Sequence, residues 1–141
     1  MTDTITSTDL ETPADVAAAV LDAIEANPDA FSMSDWCRFP GGTPLPPRVA
    51  PPSGSALCAA AWVAHLTGWT LVDADDLAQV TVRLPGGFEY QRYAYSYARR
   101  NGERHTIANV ADVALGLEPG HGFWIGSADT ALWRLREIAG R

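Results

Sequence analysis

The chain contains no lysine; all ten of its basic residues are arginine. Only two cysteines occur, Cys37 and Cys58, so a disulfide framework is not expected. No apolar run reaches the roughly eighteen residues that a membrane-spanning helix needs. The segment from Met1 to Glu11 is polar and acidic, where a secretory leader would be basic and then apolar. The compartment expected from these absences is the cytoplasm, with both thiols reduced. Missing as well are the spacings that announce common chemistries. There is no C-x-x-C or H-x-x-x-H pair, no G-x-x-x-x-G-K-S/T loop and no G-x-G-x-x-G turn. Zinc, phosphate-loop and dinucleotide sites are therefore without sequence support, and neither a metal nor a cofactor is expected.

Positive charge is absent from the N-terminal segment: Asp3, Asp9, Glu11, Asp15, Asp22, Glu25, Asp29 and Asp35 all precede the first arginine, Arg38. The net charge of −7 opposes the counterion release that drives binding to phosphate backbones, so nucleic acid is not the expected partner. The cluster Arg92, Arg99, Arg100 and Arg104 is a local exception, and its first reading is a solvated strand edge that resists aggregation. At 141 residues, with 47% hydrophobic and 19% charged, the composition is that of one globular domain able to bury a core without staples.

Start and stop signals divide the chain. Thr12, Pro13 and Asp15 open a helix with Val16, Ala17, Val20, Leu21 and Ile24 on its apolar side, and Asn27-Pro28 ends it. Six prolines and three glycines between Pro40 and Gly54 make that stretch a loop. Ser55 is expected to cap a helix from Ala56 to Thr67, closed by Gly68; apolar all round, it is placed at the centre of the fold. Trp69 to Val72 reads as a short strand, Asp73 to Asp76 as an acidic turn, and Val80 to Leu84 as a second strand. Alternating Tyr93, Tyr95 and Tyr97 and the turn pair Asn101-Gly102 predict a hairpin with strands near 90–99 and 103–106. A helix capped by Thr106 and another from about Thr130 to Ala139 complete the chain. The expected fold is α+β and mainly helical, three to four helices around a central buried helix with a small antiparallel hairpin, over 12–141 behind a disordered tail at 1–11.

Two functional readings compete. Cys58 near a helix start, followed by His105 and by Asn109 or Asp112, has the chain order of a cysteine-dependent hydrolase, because a helix N-terminus favours a thiolate and an imidazole can deprotonate it. Leu57 and Ala59 beside Cys58 match no nucleophile motif, and a buried, inert thiol is the plainer reading. Cys58 and His65 cannot share a metal, since seven helical residues separate them by about 10.5 Å. The other reading is a non-enzymatic module that binds a protein, a homodimer being one form of it. Tyr93, Tyr95, Arg99 and Trp124 are then the candidate contact residues, aromatics and arginine being enriched at interface centres.

The segments Phe31-x-Met33-x-x-Trp36, Cys58-Ala-Ala-Ala-Trp62 and Val110-Ala-x-x-Ala-Leu115-Gly-Leu117 together form a pattern. It resembles a family of small uncharacterised proteins from actinobacteria and actinobacteriophages, with Ala61 where relatives commonly have glycine. Arginine without lysine and abundant alanine, glycine and proline agree with a high-GC source. The resemblance implies a shared fold and a phage or mobile-element setting, and it implies no activity.

Overall fold

The computed structural model describes residues 10–141. Of the tail expected at 1–11, all but Leu10 and Glu11 lies outside the described residues, and Leu10 packs against the core. Helix α1 (Pro13–Ala26) opens with the Thr12 hydroxyl accepting the Asp15 N–H at 3.1 Å, and it buries Val16, Ala17, Val20, Leu21 and Ile24. The carboxamide of Asn27 donates back to the Ala23 carbonyl at 2.9 Å and closes it.

The central helix is shorter than the sequence predicts. Ala56 and Leu57 form β2 (Ala56–Leu57), antiparallel to β1 (Cys37–Arg38), and Cys58 rather than Ser55 is the N-cap of α2 (Ala59–Leu66). The cause is tertiary. The Leu57 carbonyl accepts the Ser32 N–H and the Cys58 N–H donates to the Trp36 carbonyl, each at 3.1 Å. The segment before β1 thus holds these residues extended. From Ala59 to His65 every residue of α2 is buried, with α1, α3 and the sheet around it.

The balance of helix and sheet also differs from expectation. The two short strands expected on either side of an acidic turn are one strand, β3 (Thr70–Arg83), 14 residues long, paired with the 12-residue β4 (Glu89–Arg100). The fold is α+β but not mainly helical. Asp73 pairs with Ser96 and Ala78 with Ala94, so residues 74–77 lie opposite Tyr95 alone. This bulge absorbs the acidic run without ending the strand. After the turn at Asn101 and Gly102, both at positive φ (52° and 80°), β5 (Glu103–His105) pairs on the other side of β4. His105 also meets Thr81 in a parallel bridge, which curls the base of the sheet back on itself.

Helix α3 (Ile107–Ala114) is capped by Thr106 and α4 (Ala128–Ala139) by Ser127, each side chain accepting a backbone N–H of its own first turn. Among the described residues no helix is long and apolar enough to cross a membrane. The proline-rich loop is anchored at Leu45, which exchanges hydrogen bonds of 2.9 and 3.0 Å with Leu71. One large core joins the four helices, and Val72, Val80 and Tyr97 form a small separate core inside the hairpin.

Candidate binding surface

Beyond that small core the β3–β4 hairpin has little to pack on. Leu77, Leu84, Phe88, Tyr90, Tyr93 and Tyr95 are exposed, Phe88 by 70%, Tyr93 by 65% and Tyr95 by 52%. Side chains alternate along a strand, so Tyr93 and Tyr95 share one face while Phe88, Tyr90 and Arg92 share the other. On the side away from β3, β4 is paired only at Ala98, Arg99 and Arg100. Among the described residues its edge from Glu89 to Ser96 has no ladder partner there. Arg99 is exposed in the middle of the paired stretch, opposite Thr70 and Arg104.

Trp124, expected among the contact residues, lies elsewhere. It is 6% exposed, packs on Phe123, and its indole donates to Asp112. It is a core residue, and Trp133 of α4 is the exposed tryptophan nearby in sequence.

The hydrolase candidates do not come together. Cys58 is 2% exposed, and burial pushes its thiol up to about 11, against the pull of the Ala60 and Ala61 amides. It lines a cavity with Cys37, Asp73 and Ser96, whereas His105 lines a different cleft with Trp69, Arg100 and Asn109. Asp112 is engaged by Trp124 and Gly120. Asn109 accepts the Arg83 N–H at 2.6 Å and donates to the Arg83 carbonyl at 3.2 Å, pinning the end of β3 to α3. No group of three or more His, Cys, Asp or Glu side chains among the described residues is arranged to hold a metal ion.

No family model, curated protein or solved structure matches the chain. The surface itself therefore carries the functional argument.

The cleft holding His105 lies at the base of the hairpin. It measures about 370 Å³ and is lined from β3, β4, β5, α1 and α3, together with Thr67 and Trp69. The His105 Nε2–H donates to Glu103 at 2.9 Å, and the His105 ring meets Trp69 edge to face at 5.7 Å. The Arg100 guanidinium lies 4.2 Å over the Trp69 ring. From sequence alone Arg100 belongs to a solvated edge and Trp69 to a short strand. Some thirty residues separate them, and only the pairing of Thr70 with Arg99 brings them side by side.

Proposed function

We propose that this protein is a cytoplasmic accessory or regulatory module of a phage or mobile element, and that it works by binding another protein. The open β4 edge from Glu89 to Ser96, flanked by exposed tyrosines, is the observation that carries the reading. Unpaired strand edges capture extended segments through backbone hydrogen bonds, and flanking side chains select the sequence. Tyrosine supplies large contact area with few rotatable bonds, which lowers the entropy lost on binding.

Charge selects the kind of partner. Over the hairpin as a whole the arginines are balanced by Asp73, Asp75, Asp76 and Glu89, but on the open edge from Glu89 to Ser96 Glu89 is held by Arg83, and Arg92 has no ion-pair partner among the described residues. An extended acidic segment fits this edge and a basic one is repelled.

Hydrogen exchange on the purified chain with short synthetic peptides tests this. Peptides alternating glutamate with valine should protect the outward amides between Glu89 and Ser96. Peptides alternating lysine with valine should not, and Arg92→Glu should reverse the preference. Equal protection by both peptides, or none by either, overturns the reading. Protection of the same amides by self-association, with a mass that doubles on concentration, would assign the edge to a second copy and overturn the acidic-partner reading.

A further inference from the structure

The cleft at the base of the hairpin has chemistry that the edge does not use. One wall is polar, with Arg83, Arg100, Glu103 and His105; the other is apolar, with Val16, Val110 and Val113. Most of the polar groups are already engaged. Arg83 pairs with Glu89 at 2.9 Å and Glu103 binds His105 at 2.9 Å. Arg100 differs. It stacks on Trp69 and makes one long bond of 3.4 Å to the Thr67 carbonyl, and among the described residues it has no ion-pair partner. A guanidinium fixed against an indole face is preorganised, and it presents its remaining donors in the planar fork that matches a carboxylate.

We propose that this cleft binds a small organic carboxylate, its charged head on Arg100 and its apolar body against Val110 and Val113. The volume lies at the lower end of the range for small-molecule pockets, roughly 300–1,000 Å³. Glu103 limits the charge of the ligand. Its bond to His105 and the nearby arginines hold its carboxyl below the usual range, so it stays ionised at the cleft wall. A dianion such as a phosphate monoester would meet that charge with a single unpaired guanidinium to offset it, whereas a monoanion is accommodated. The apolar wall is accessible to such a body, Val113 being 55% exposed.

The test is a titration of the full chain with 3-phenylpropionate, followed through the Trp69 indole N–H and the Val110 and Val113 amides by NMR. Saturable shifts at these three positions are expected with the carboxylate. Binding of 3-phenylpropanamide should be about tenfold weaker, and 3-phenylpropyl phosphate should bind no better than the amide. Arg100→Gln should weaken the carboxylate about tenfold, or ~1.4 kcal/mol. Arg136→Gln, exposed on α4 and outside the lining of the cleft, should leave it unchanged. Val113→Glu, at an exposed position that does not endanger folding, should abolish binding by putting a charge where the apolar body rests. Equal affinity for carboxylate and amide, tighter binding of the phosphate, equal losses in the two arginine variants, or no saturable shift overturns the proposal. These positions lie away from the hairpin tip, so the result is independent of the fate of the β4 edge.

Discussion

The Trp124 indole N–H donates to a carboxylate oxygen of Asp112 at 2.6 Å within the core, and the Gly120 N–H donates to the other oxygen at 3.0 Å. Burial pushes the Asp112 carboxyl up, and these two donors pull it down. The pair ties the loop after α3 onto the helix. Gly122 sits so close that a Cβ there would collide with both the indole nitrogen and the carboxylate.

Asp112→Ala should therefore lower stability by about 2–3 kcal/mol in urea unfolding, because it strands a buried indole donor and a backbone amide. The asparagine variant should lose less, since its carbonyl can still accept from the indole. Gly122→Ala should cost about 1–3 kcal/mol by overpacking the same spot. A wild-type urea midpoint for Asp112→Ala would show that the carboxylate does not hold this loop.

His65 links stability to pH. It is buried against Trp62, its Nδ1 has no hydrogen-bond partner among the described residues, and burial lowers its pKa from 6.5 to about 4. The unfolded chain therefore takes up a proton below pH 6.5 that the folded chain refuses until about pH 4. Stability from this group is full above that window and falls through it as pH drops. Near pH 5 the loss should be about 2 kcal/mol relative to neutral pH. His65→Phe should remove that portion of the pH dependence. Wild-type and variant urea midpoints that fall in parallel between neutral pH and pH 5 would refute the assignment.

Cys58 should resist alkylation in the folded state, since its thiol is both buried and held protonated at neutral pH. Cys37, also buried, is pushed up by burial and by the Asp73 carboxylate, and should behave alike. Iodoacetamide should label both only as denaturant unfolds the chain. Labelling of Cys58 in the native state at the rate of a free thiol would reopen the hydrolase reading.

Local signals were legible where the chain satisfies its own backbone. Thr12 and Thr106 cap helices at the places their spacing predicts, and Asn101-Gly102 turns the chain from β4 into β5. The misreadings occur where a distant segment supplies the partner. Ser55 is a plausible cap in isolation, but Ser32 and Trp36 bind the backbone around Leu57 and delay the helix to Ala59. Asp73 to Asp76 have turn composition, yet pairing of Ala78 with Ala94 carries the strand through them. Trp124 carries no local sign that Asp112 will bury it. Tyr93 and Tyr95 could be named from alternation alone, while the joining of Arg100 to Trp69 depends on strand register.

The hairpin separates binding from stability along a single strand. Tyr97 is buried with Val72 and Val80, whereas Tyr93 and Tyr95 on the same face are exposed. Tyr97→Ala should destabilise by about 3 kcal/mol, the cost of emptying a packed aromatic site. The double variant Tyr93→Ser, Tyr95→Ser should unfold within about 0.5 kcal/mol of wild type, as surface changes do. The same double variant should weaken the glutamate–valine peptide about tenfold or more, because the tyrosines form the walls beside the edge. Urea unfolding and peptide titration on the two variants check both halves of the claim. Loss of stability in the double variant would mean that these tyrosines pack rather than bind. Unchanged peptide affinity with unchanged stability would leave backbone pairing as the whole of the recognition and remove the tyrosines from the binding surface.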